Sequence, residues 1–211
     1  MIEYEAFVQR ALHLPPQPDE LIVVHSSPAF SPDQTLALVQ RADQSYALRS
    51  TRLTEHVYYR MREQMEQLER SGASPAAAQA EALARIAATP VVREQPLDGR
   101  TAQLFLELWR ALVARGQVVR EIGAGTGIGD GISYRIWSGG KIVETNIPAE
   151  GSVLGRAISA LERLRLLIDR PNPSVDADLE RAIARRDMDE ALQRTRLGEP
   201  CLRPYRPRVS N

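Results

Sequence analysis

Residues 132 to 147 read I-S-Y-R-I-W-S-G-G-K-I-V-E-T-N-I. Gly139-Gly140 suits the two-residue turn that joins hairpin strands, because that turn needs positive φ at both positions. With the turn there, Trp137 faces Ile142 and Ile136 faces Val143. Arg135 then faces Glu144, Tyr134 faces Thr145, and Ile132 faces Ile147. One side of the hairpin collects Ile132, Tyr134, Ile136, Val143, Thr145 and Ile147. The other carries Ser133, Arg135, Glu144 and Asn146, with Trp137 and Ile142 near the turn. A slip of one residue would turn the isoleucines onto the polar side. Facing opposite charges at Arg135 and Glu144 add about 0.2–1 kcal/mol to the correct register. The stretch therefore predicts an antiparallel hairpin, closed by Pro148 and followed by a helix that Gly151-Ser152 opens.

Just upstream, residues 121 to 129 read E-I-G-A-G-T-G-I-G. This segment resembles motif I of the S-adenosylmethionine-dependent methyltransferases. The matching positions are Glu121, Gly123, Gly125 and Gly127, with Val118-Val119 as the preceding strand. The resemblance implies a doubly wound fold, a helix directly after the glycines, and those four residues at the cofactor. The residues that follow point elsewhere. Gly129 and Gly131 disfavour a helix, and alternating β-branched and aromatic residues favour a strand. Only 84 residues follow Gly127, too few for the remaining strands and helices of that fold. The segment is read here as a connector from a short strand, Gln117 to Ile122, into the hairpin. A strand beginning near Ile132 is the distinguishing expectation.

Hydrophobic spacing extends the reading in both directions. Residues 3 to 12 suit a helix stopped by Pro15, Pro16 and Pro18, and Leu21 to Val24 a strand. A loop is expected from Ser26 to Pro32. Residues 35 to 53 alternate as two strands around Asp43-Gln44; a helix capped by Ser31-Pro32-Asp33 is the alternative. Val57, Met61, Met65 and Leu68 mark a helix over 55 to 70. Ser74-Pro75 opens an alanine-rich helix, either a spacer or the outer layer of a helical pair. Val91 to Arg93 suit a short strand. Phe105, Leu108, Trp109 and Leu112 share one face of a helix over 100 to 115, stopped by Gly116. Leu154, Ala157, Ile158, Leu161, Leu164 and Ile168 mark another over 152 to 168. A last helix runs from about Asp176 to Arg196. The expected fold is α+β: an antiparallel sheet of about five to seven strands with helices packed on one face. Residues 1 to 196 form one domain with a helical insert at about 55 to 88, and residues 197 to 211 a Pro/Arg-rich tail.

The 211 residues carry 27 basic and 27 acidic side chains, so a basic excess of the kind nucleic-acid binders use is missing. Lys141 is the single lysine, a bias that reads as that of a GC-rich bacterial genome, with the use of arginine for planar, bidentate contacts as the alternative. Cys201 is the single cysteine, so no disulfide can form within the chain. No run of apolar residues suits a membrane span, and the start lacks the pattern of a signal peptide; a cytoplasmic address is expected. His13, His25 and His56 share no metal-ligand spacing, and no cofactor or metal is expected. His25 ends an apolar strand and reads as a hydrogen-bonded structural histidine.

Candidate surface residues are Arg135, Trp137 and Glu144 on the hairpin, and Arg156, Arg163 and Arg170 at seven-residue intervals on one helix. Trp137 is either an exposed patch beside Arg135 or a residue covered by a helix. The arginine stripe is either a docking face or a solvated face interleaved with Glu162 and Asp169. These features lead to the expectation of a non-catalytic bacterial binding or interaction protein, of adaptor or immunity type, with another protein as partner. The alternative is the methyltransferase.

Overall fold

A computed structural model describes residues 2–28, 31–115, 132–145, 151–169 and 176–199. In chain order the elements are α1 (Ile2–Ala11), β1 (Glu20–Pro28), β2 (Gln34–Gln40), β3 (Tyr46–Leu53), α2 (Val57–Arg70) and α3 (Pro75–Arg85). They continue with β4 (Pro90–Leu97), α4 (Gly99–Ala114), β5 (Ile132–Ser138), β6 (Lys141–Thr145), α5 (Val153–Asp169) and α6 (Asp176–Arg196). The six strands form one sheet in the order β4-β3-β2-β1-β5-β6, antiparallel at every junction.

The β5–β6 hairpin has the register that its sequence dictates as far as Thr145; the expected pairing of Ile132 with Ile147 and the stop at Pro148 lie outside the described residues. Tyr134 pairs with Thr145, Arg135 with Glu144, Ile136 with Val143 and Trp137 with Ile142. Gly139 and Gly140 have φ of 54° and 77°, the conformation that the tight turn requires of both. A strand, not a helix, begins at Ile132. The antiparallel sheet also differs from the doubly wound fold implied by the glycine motif. Residues 35 to 53 are two strands, and Asp43 closes their turn by accepting bonds from Ser45 N–H at 3.0 Å and Ser45 Oγ at 2.6 Å. β1 runs past the expected strand end at Val24, because β5 offers it a ladder: Ser26 pairs with Tyr134 and Ser27 with Ser133.

The α+β class and the six-stranded sheet match expectation; the placement of the helices does not. Helices cover both faces of the sheet. On one face Ile22, Val24, Leu36, Leu38, Leu48 and Ile136 pack with Phe105, Trp109 and Leu112 of α4, Leu154, Leu161 and Leu164 of α5, and Met188 of α6. On the other, Val23, Ala37, Val39, Ala47, Leu53 and Trp137 pack with Val8 and Leu12, Val57 and Met61 of α2, and Leu83 of α3. The signal was in β1 itself. Ile22, Val23 and Val24 are consecutive, and each is at most 1% exposed. A sheet wetted on one side alternates apolar and polar residues, whereas a strand covered on both sides reads as an unbroken apolar run. The 55-to-88 insert is thus the helical pair α2–α3, which with α1 closes the second face.

β4 is an outer strand, and it is guarded. The Thr54 N–H donates to the Thr89 carbonyl at 3.2 Å, one step beyond the Leu53–Pro90 pairing. Hydrogen-bonded and non-bonded pairs alternate along an antiparallel ladder. Val91, Arg93, Gln95 and Leu97 therefore turn their peptide groups toward β3. Pro90, Val92, Glu94 and Pro96 turn theirs outward. Both prolines lie where an N–H would otherwise be offered to a stray strand, leaving Val92 and Glu94 as the only outward donors of this strand.

Candidate functional site

The hairpin residues picked from sequence lie together, but they serve to fasten α1. Arg135 donates to Glu144 at 2.6 Å, as the register requires. Its guanidinium also reaches Glu5 of α1 at 2.6 Å and lies 5.9 Å from the centre of the Trp137 ring. Trp137 is only 8% exposed. It is covered by the helical layer, so it is not a surface patch.

A second tie runs beside the first. His25 Nε2 lies 3.0 Å from Asp33 Oδ1, and the Tyr4 hydroxyl donates to Asp33 Oδ2 at 3.2 Å. Asp33 is 2% exposed, so both carboxylate oxygens are spent on protein partners in a dry setting. Burial, helped by the Asp33 charge, pushes the Tyr4 phenol above its ordinary range. Pairing in β1 explains why His25 is there: it faces Thr35 on one side and Arg135 on the other, on the α1 side of the sheet. The structural reading of His25 agrees with its bond. Its partners Asp33 and Tyr4 escaped sequence reasoning, since the contacts span 8 and 29 residues.

The arginine stripe of α5 faces acids of α6. Arg156 binds Glu190 at 2.7 Å, and Arg163 binds Glu180 at 2.8 Å with Asp187 at 3.8 Å. These bonds sew α5 to α6. Arg170 lies outside the described residues. So do Glu121, Gly123, Gly125 and Gly127, the Gln117-to-Ile122 strand, Cys201 and the arginines of the tail.

What remains open is on the outer side of α1. Tyr4, Val8 and Leu12 point inward, and Glu5 is held by Arg135. Glu3, Ala6, Phe7 and Arg10 form the next stripe, at i, i+3, i+4 and i+7. With Ala80, Leu83, Ala84 and Ile86 on the α3 side they line a groove of about 520 Å³. Ala6, Ala80 and Ala84 are exposed, and Phe7 is half-buried. Ser74 starts α3 by accepting the Ala77 N–H, which fixes that wall. Small side chains on both walls let another chain approach the helix backbones closely. The signal for this groove was present as the Glu3-to-Arg10 spacing and the alanine run, and it lacked only the knowledge that the two helices are neighbours.

Among the described residues no group of three or more His, Cys, Asp or Glu side chains is placed to hold a metal ion, and no helix is long and apolar enough to cross a membrane. Comparison of the chain with family models, curated proteins and solved structures finds no match.

Proposed function

We propose that the chain is a non-catalytic interaction protein, of adaptor or immunity type, that receives a protein partner in the groove between α1 and α3. The observation that carries this reading is the groove itself. Its volume of about 520 Å³ is lined by Glu3, Ala6, Phe7 and Arg10 on one side and by Ala80, Leu83, Ala84 and Ile86 on the other. α1 is pinned from behind by Tyr4–Asp33 and Glu5–Arg135, so one wall is rigid before any partner arrives. A groove that combines small apolar walls with an acid and a base is a surface that an amphipathic helix recognises.

The test is a photo-crosslinking side chain at Ala84, irradiated in the native cell. A protein adduct at this position, lost when Ala80→Arg fills the groove, supports the reading. The absence of any adduct refutes it. A saturable thermal stabilisation by millimolar S-adenosylmethionine, lost in Gly125→Val, would support the methyltransferase alternative instead.

A further inference from the structure

The outer stripe of α1 has an internal order that names its occupant. Glu3, Ala6, Phe7 and Arg10 are antisymmetric about the midpoint between Ala6 and Phe7. An acid is mirrored by a base, and a small side chain by a large one. Glu3 and Arg10 stand seven residues apart, which is about 10.5 Å along a helix. Neither has an ion-pair partner among the described residues, although most of the described arginines end on a carboxylate or a carbonyl. Both are exposed.

We propose that the groove between α1 and α3 is a self-association surface, in which a second copy of this chain docks with its α1 antiparallel to the first. This rests on the reading of the groove as a docking site. A two-fold axis through the Ala6–Phe7 midpoint sets Glu3 of each copy against Arg10 of the other. It also sets the half-buried Phe7 of each copy, which packs against the second core of its own chain, opposite the exposed Ala6 of the other, beside the exposed alanines of α3. A two-fold interface requires this kind of self-complementarity, because the same patch must serve as both partners. An unrelated partner helix would need no such antisymmetry in α1.

The experiment is sedimentation velocity of the full chain across a concentration series at low salt. The proposal expects a monomer of 23.5 kDa in reversible exchange with a dimer. Glu3→Arg or Arg10→Glu places like charges opposite each other twice per dimer and weakens association about tenfold or more. The double reversal Glu3→Arg/Arg10→Glu restores it. Circular dichroism confirms that these exposed substitutions leave the fold intact. A monomer at every concentration overturns the proposal, and so does a dimer indifferent to the single reversals. The Ala84 crosslink separates the two levels of the argument. An adduct of twice the chain mass supports the dimer. An adduct of any other mass overturns it while leaving the groove a docking site, and no adduct removes both.

Discussion

Asp33→Ala is the sharpest perturbation of the tie that holds α1. The substitution removes the acceptor of two hydrogen bonds at 3.0 and 3.2 Å. The His25 ring is left with a donor in a site only 11% exposed, which costs about 1–3 kcal/mol. Tyr4 is half-buried and can turn partly to water, so its loss is nearer to about 1 kcal/mol. Removing a buried carboxylate recovers some desolvation energy, which trims the sum. The expected net cost is about 2–3 kcal/mol. For a chain of this size that is a fall in Tm of roughly 5–10 °C. Asp33→Asn keeps an acceptor for His25 and should cost about 1 kcal/mol. Denaturant unfolding of Asp33→Ala, Tyr4→Phe and the double variant gives the coupling directly, expected at about 1 kcal/mol. A cost for Asp33→Ala below about 0.5 kcal/mol, or no coupling to Tyr4→Phe, would show that the three side chains are not a network.

Three further outcomes follow from other parts of the molecule. Replacing Pro90 and Pro96 together by valine gives the outward side of β4 two more N–H donors; light scattering should then show concentration-dependent association beyond that of the wild type, and unchanged scattering would mean that the prolines do not guard the edge. Arg163→Ala should cost about 1 kcal/mol in urea unfolding because it strips Glu180 and Asp187, the latter nearly buried, whereas Arg62→Ala, whose pair with Glu66 is exposed and 3.8 Å long, should stay within about 0.3 kcal/mol; equal costs would deny the α5–α6 seam its role. The Tyr134 phenol is pushed up to about 12 by burial and then by the Glu162 charge, so the fold favours its neutral form; stability holds below pH 10, where the unfolded phenol begins to ionise, and falls as pH rises from 10 toward 12, a slope that Tyr134→Phe should flatten.

Much of this architecture is legible from spacing alone. A period of two placed β5 and β6 in register, and a period of 3.6 placed α2, α4 and α5. These signals are local, so a short window of sequence contains them whole. What spacing conceals is which elements meet. The continuous run Ile22-Val23-Val24 announces cover on both faces but does not say which helices provide it. Arg156 and Arg163 look like a free stripe until Glu180, Asp187 and Glu190 arrive from α6. Trp137 is polar-side by register and yet buried, because Val8 of α1 and Met61 of α2, with Leu12 just past the end of α1, close over that side. Asp33 lies at the edge of a proline-flanked loop, where an acid attracts no attention until His25 and Tyr4 converge on it.

α1 joins the two strands of the argument, because its sides answer to different partners. A helix needed only to cover the sheet would carry Tyr4, Val8 and Leu12 inward and charges elsewhere. α1 also leaves Ala6 exposed beside the alanines of α3, with Phe7 half-buried between that groove and the second core. The two roles separate by experiment. Ala6→Lys changes an exposed helical position, should move the unfolding midpoint by less than about 0.5 kcal/mol, and should abolish association at the groove. Tyr4→Phe should do the reverse, lowering stability by about 1 kcal/mol while the outer stripe keeps its pattern. If Ala6→Lys destabilises the monomer as much as Tyr4→Phe does, the outer stripe belongs to the fold and the docking surface must be sought elsewhere.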